Sequence, residues 1–208
     1  MFNMRNKTGF TLAEVLITLL IVGVIASIVI PGLIANTQQA EYKAAWKKAF
    51  ASLNQATLRL SQENAGNLTG TYTTDDLLTN AYCSYLNCIK VCATGSSLGN
   101  CWTSTAKSLG GNPVGWSNNA GAILNDGTLL RLGASIGTNA TIGAFSAISI
   151  DVNGFKEPNT IGKDVFYVWI LKNTIKPWGT QGDGFESDCN TSPASGIGYG
   201  CSARYLNQ

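Results

Sequence analysis

The sequence predicts an α+β protein, one very long N-terminal helix laid on a small antiparallel sheet. Three observations predict it. An apolar run followed by a 3.6-residue apolar period extends from Phe10 to about Gln62. Strand-like segments come only later, at 122–124, 128–132, 147–152 and 165–171. Asn125-Asp126-Gly127, between the first two of them, is a hairpin signal. Helix first and strands afterwards is the α+β order, with the helix kept to one face of the sheet.

The helix reads in two halves. Residues 10–34, FTLAEVLITLLIVGVIASIVIPGLI, contain a single charge, Glu14. At the α-helical rise this stretch spans roughly 37 Å, enough to cross a hydrocarbon core of about 30 Å. Arg5 and Lys7 precede it with no acid among residues 1–9. That charge bias places the N-terminus on the cytoplasmic side of a membrane and the rest of the chain outside. A secretory signal peptide would have a shorter apolar core and a small-residue cleavage site, which Ala26-Ser27-Ile28 matches poorly. A carboxylate in hydrocarbon costs a few kcal/mol, so Glu14 calls for a partner. Gly23 and Pro31 are the weak points: glycine lowers helix propensity, and proline removes an N–H and crowds the carbonyl four residues back. In the second half, residues 35–62, Tyr42, Trp46, Ala49, Phe50, Leu53, Thr57 and Leu60 share one face, and the lysines at 43, 47 and 48 lie largely off it. The face belongs against the sheet and the charges in water. Asn64-Ala65-Gly66-Asn67 supplies the stop.

Composition narrows the function. The 208 residues include no histidine, which excludes imidazole catalysis and the common zinc hydrolases. No organic cofactor is expected. Fourteen basic against 12 acidic side chains, with 12% charged residues, gives no basic groove for nucleic acid. Six cysteines point to an oxidising compartment. Cys83, Cys88, Cys92 and Cys101 are spaced C-x4-C-x3-C-x8-C, unlike zinc or iron–sulfur sites. The turn-rich Gly95–Asn100 segment favours Cys92–Cys101 and leaves Cys83–Cys88, although six cysteines allow fifteen connectivities. Cys189 and Cys201 close a further loop, where a bridge would contribute about 3 kcal/mol in the chain-entropy model.

Gly9 followed by Phe10-Thr11-Leu12-Ala13-Glu14 and an apolar helix resembles the N-terminal signature of type IV prepilins and type II secretion pseudopilins. A short basic leader ends in glycine, phenylalanine follows, and the acid is the fifth residue after the junction. The resemblance covers residues 5–31. It implies a ladle-shaped pilin-like fold, with a leader at 1–9, a membrane and polymerisation helix at 10–34, its amphipathic continuation at 35–62 and an extracytoplasmic head at 63–208. It implies cleavage between Gly9 and Phe10 and methylation of Phe10 by a prepilin peptidase, a partnership with other pilin subunits and the inner-membrane assembly machinery, and a wait in membrane lipid before assembly. Glu14 would neutralise the N-terminal ammonium of a neighbouring subunit, and Gly23 and Pro31 match the family's helix-breaking residues. Cys189–Cys201 resembles the C-terminal disulfide loop of many pilins. The competing reading is a monomeric, membrane-anchored binding protein.

One loop points to a metal. Asp151, Asn153, Asn159 and Asp164 bring hard oxygen donors into a glycine-containing segment, the chemistry calcium prefers. The calcium-loop pattern is incomplete, because the twelfth position from Asp151 is Gly162. A turn in which these side chains bond backbone amides is the other reading. Asp183-Gly184 offers a second metal site as one reading and a solvated turn as the favoured one.

Overall fold

The computed structural model describes residues 9–133, 139–190 and 196–208. Helix α1 (Leu12–Glu63) covers 52 residues, close to the span its periodicity predicts. It ends where the Asn/Gly cluster begins. Ala65 and Gly66 take positive φ, and the Gly66 amide donates back to the Ser61 carbonyl at 2.8 Å, satisfying one of the last carbonyls of the helix. The chain divides into two units, Met1–Ala40 and Glu41–Gln208. In the first, every large apolar side chain of α1 from Leu12 to Ile34 is exposed.

The second unit holds helix α2 (Asp75–Cys83), the strands β1 (Cys88–Cys92), β2 (Ala106–Lys107), β3 (Pro113–Val114), β4 (Ala120–Leu124), β5 (Leu129–Gly133), β6 (Ser146–Asp151), β7 (Val165–Ile170) and β8 (Ile175–Pro177), and helix α3 (Cys201–Leu206). Six strands form one antiparallel sheet in the order β1-β4-β5-β6-β7-β8, and β2 pairs with β3 apart from it. The four strands expected from the sequence are β4 to β7, its centre. The sheet is wider than the three or four strands expected, because β1 and β8 add short edges whose sequences do not alternate. The β4–β5 hairpin turns at Asn125-Asp126-Gly127, where Gly127 has φ +86° and the Thr128 amide donates to Asp126 Oδ1. β1 is bulged between Cys88 and Lys90.

Both faces of the sheet are covered. On one, Trp46, Leu53, Ala56 and Leu60 of α1, with Leu78 and Tyr82 of α2, pack on Leu130, Leu132, Ile148, Ile150, Phe166 and Val168. The Trp46 ring stacks on Phe166 at 4.8 Å and its indole N–H donates to the Ser202 carbonyl at 2.9 Å. Truncating a fully buried aromatic of this kind typically costs about 3–5 kcal/mol. On the other face, Trp102, Ala147, Ile161, Tyr167, Trp169 and Trp178 form a second core. The segments at 97–119, 178–190 and 196–203 supply that cover. This explains why β5, β6 and β7 are buried at every position and not at alternate ones.

Disulfides join Cys83 to Cys88, Cys92 to Cys101 and Cys189 to Cys201. The last one ties α3 to the tail, which lies tight against its neighbours. A Cβ on Gly179 would stand 2.6 Å from Gly200 Cα, so only glycine lets the two backbones meet there.

Candidate functional site

Two places carry the chemistry that the sequence singles out. The first is the start of α1. Residues 1–8, with most of the expected leader and both of its basic side chains, lie outside the described residues. Gly9 and Phe10 lie just before the helix, and Phe10 is 89% exposed. Glu14 sits in the first turn. Its Oε2 accepts from the Thr11 backbone N–H at 2.8 Å and from Thr11 Oγ1 at 2.8 Å, while the Glu14 N–H donates to Thr11 Oγ1 at 3.2 Å. This is a capping box, two side chains satisfying each other's helix-end amides. Thr11 is the residue that sequence reasoning passed over, although the Thr-x-x-Glu pattern before an apolar run was its signal. Glu14 therefore has a local task within one chain, which the charge argument alone had not given it.

Along the same segment, an 18-residue window reaches a mean hydropathy of 2.7 with none of it buried. It is long and apolar enough to cross a membrane. Its polar side chains turn back on the helix: Thr18 Oγ1 donates to the Val15 carbonyl and Ser27 Oγ to the Val24 carbonyl. Bonded this way, they present little unmet polarity to hydrocarbon. Gly23 and Pro31 both lie within α1. Proline at 31 leaves the Ser27 carbonyl without its helical N–H.

The second place is the loop from the end of β6 to the start of β7. Asp151 and Asp164 are fully buried. Asp164 accepts from the amides of Asn159 at 2.8 Å and Thr160 at 2.6 Å. Asp151 Oδ1 accepts from the Asn153 amide at 3.2 Å. Asn153 Nδ2 donates to the Glu157 carbonyl and, at 3.4 Å, to the Tyr42 hydroxyl on α1. The backbone-amide turn that the sequence offered as the alternative is therefore present, but it uses only part of the donor set. Asp151 Oδ2, Asn153 Oδ1 and Asn159 Oδ1 are buried with no hydrogen-bond partner. Burial, and then the neighbouring Asp164 charge, push the Asp151 carboxyl up to about 8; burial also raises Asp164. These three acceptors with no donor to meet them, one on a carboxylate and two on amides, are of the hard-oxygen type that calcium takes. Among the described residues, no three His, Cys, Asp or Glu side chains gather as a metal cluster.

Asp183 differs from its expectation. Far from a solvated turn, it is 6% exposed and accepts from Trp169 Nε1 at 3.0 Å and the amides of Gly179 and Phe185. It fastens the tail to β7.

Residues 4–30 match the family model described as the prokaryotic N-terminal methylation motif. Over 45 residues, 22% of this chain, the sequence is 44% identical to the type II secretion system core protein G of Vibrio cholerae serotype O1 (strain ATCC 39315 / El Tor Inaba N16961). The match spans 31% of that relative's own length. No solved structure matches. The chain thus carries the N-terminal methylation motif of prepilins and pseudopilins on a pilin-like α+β organisation.

Proposed function

We propose that the chain is a structural subunit of a type IV pilus or a type II secretion pseudopilus. A prepilin peptidase cleaves it between Gly9 and Phe10 and methylates the new amine. It then waits in the inner membrane with its N-terminus cytoplasmic and its head outside, until assembly machinery draws it into a filament with other pilin or pseudopilin subunits. The observation that carries this reading is the motif around Gly9, Phe10 and Glu14 placed directly before an apolar helix that the protein itself leaves unburied. In a filament, neighbouring helices remove that surface from lipid, and Glu14 exchanges its cap for the ammonium of an adjacent Phe10. A charge buried with a partner is tolerable where an unpaired one is not. Gly23 and Pro31 give the helix a stretch that can unwind as it packs.

Mass spectrometry of the mature protein from its host is expected to show a chain that begins at Phe10 and carries one extra methyl. A mature chain that begins at Met1 or beyond Ala26 would remove the reading.

The competing reading, an anchored monomer, gains from the capping box, which gives Glu14 a reason to exist without neighbours. Glu14→Gln separates the two, because glutamine keeps the box and loses only the charge. Filament or secretion assembly is expected to fail while folding and membrane insertion persist. Wild-type assembly by the variant would favour the monomer.

The same reading includes calcium in the loop 151–164, held by Asp151, Asn153, Asn159 and Asp164 and offsetting the repulsion between two buried carboxylates. Titration calorimetry of the full chain in detergent micelles is expected to give heat with calcium and a raised melting temperature, both absent with chelator. No heat and no shift would end this part of the proposal.

In chelator, the pH dependence has a definite sign. Folded Asp151 keeps its proton to about pH 8, whereas unfolded aspartate loses it near 3.8. The folded state then binds more protons in that window, so stability falls as pH rises from about 4 to 8. Asp151→Asn is expected to flatten this fall in chelator melts; an unchanged slope would show that Asp151 does not titrate so.

A further inference from the structure

The second face of the sheet carries a cavity of about 260 Å³ that assembly through α1 does not use. Trp116, Tyr167, Trp178 and Tyr199 wall it, with Arg131 and Asn119 at its side. Three of these rings touch one another: Tyr167–Trp178 at 4.8 Å, Tyr167–Tyr199 at 4.9 Å and Trp178–Tyr199 at 4.8 Å. Arg131, on β5, is 4% exposed. Its guanidinium donates to the Ser117 carbonyl, Asn119 Oδ1 and Ser149 Oγ at 3.0–3.1 Å. Its charge meets acid one amide away, since Asn119 Nδ2 donates in turn to Asp75 Oδ2 at 2.7 Å. The Trp116 ring lies over the guanidinium at 4.8 Å.

What distinguishes the cavity is the kind of bonding left unmet. Arg131 Nε, Trp116 Nε1 and Trp178 Nε1 are buried with no hydrogen-bond partner, and all three belong to lining residues. Each is a donor. Native proteins leave few such groups, and each calls for an explanation. Among the described lining residues there is one formal charge, the guanidinium, and no carboxylate. The lining's acceptors are thus too few for its donors, and the shortfall lies beside a cation. The aromatic walls add flat faces, and the volume, below that of a drug-sized pocket, holds about one ring.

We propose that this cavity binds an acidic sugar residue, a pyranose bearing a carboxylate, free or at the end of an acidic polysaccharide. The carboxylate oxygens accept from Arg131 Nε and the indole N–H groups, a charge-assisted arrangement. The C–H face of the ring stacks on the aromatic wall, and its hydroxyls meet the exposed Ser117 and the half-buried Tyr199 at the rim. Trp116 is only half-buried, and the ligand reaches Arg131 Nε by displacing the edge of this one ring. The inference stands apart from the assembly reading, for it concerns the head of a filament subunit and of an anchored monomer alike.

The test is titration calorimetry of the full chain in detergent micelles with sodium glucuronate, glucose and sodium benzoate as probes. Glucuronate is expected to saturate at millimolar concentration, with glucose weaker by about tenfold for want of the charged hydrogen bonds. Benzoate has the charge without the sugar hydroxyls and is expected to bind more weakly than glucuronate. Because Arg131 is buried and its replacement can unfold the head, Trp116→Ala carries the mutational arm. It is expected to weaken glucuronate by about tenfold, as stacking and one donor are lost, while Lys48→Ala on α1 leaves binding unchanged. No saturation with glucuronate would overturn the proposal, leaving ordered water as the partner of these donors. So would glucose equal to glucuronate, benzoate tighter than glucuronate, or an unaffected Trp116→Ala variant.

Discussion

The burial of one helical face against the sheet governs the globular unit, and Trp46 stands at its centre. Its ring lies flat on Phe166 of β7, and its indole N–H reaches the Ser202 carbonyl at the start of α3. One side chain thus joins the N-terminal helix, a central strand and the C-terminal segment. Leu53, Ala56 and Leu60 extend the same seam at helical spacing, and α2 closes its flank through Leu78 and Tyr82. The apolar surface removed from water along this seam drives the association, because hydrogen bonds exchanged with water contribute less.

The opposite face obeys a different logic. Its cover is irregular chain, whose backbone polar groups need individual partners. Buried and half-buried polar side chains supply them. Asp183 accepts from two amides and an indole, Asp188 accepts from the amides of Ile197, Gly198 and Tyr199, and Asn118 from those of Ser97 and Leu98. The disulfides at Cys92–Cys101 and Cys189–Cys201 limit the freedom of these same segments in the unfolded chain. A helix could cover a sheet with fewer such devices, but it would not place tryptophans, tyrosines and a guanidinium around a cavity.

What the sequence made legible follows from how local each signal was. The long helix was readable because its apolar period persists for dozens of residues, and the β4–β5 hairpin because Asp126-Gly127 needs no distant context. α2 was not, since nine residues with acids and threonines have no strong period; Thr74 caps it, and packing of Leu78 and Tyr82 holds it. β1 and β8 are not legible because they are short and show no alternation. In the candidate site, Glu14 is legible as an anomaly in an apolar run, while its bond to Thr11 shows in the sequence only as the Thr-x-x-Glu spacing. Asp151, Asn153, Asn159 and Asp164 were legible as oxygen donors, but their burial depends on β6, β7 and α1 coming together. Arg131 read as one polar residue within a strand, and nothing local announced the rings around it.

The bulge in β1 has a consequence for how the protein meets copies of itself. β1 is an edge of the six-stranded sheet, and an open edge invites another strand to pair with it, the route to uncontrolled aggregation. Here the edge is irregular at Cys88, pinned by a disulfide at each end, and carries Lys90 at its middle between the exposed Ile89 and Val91. The other edge, β8, is three residues long and ends in Pro177. Both borders are thereby poor templates for strand addition. The exposed apolar helix is one surface open to association, and these blunted edges add no second one.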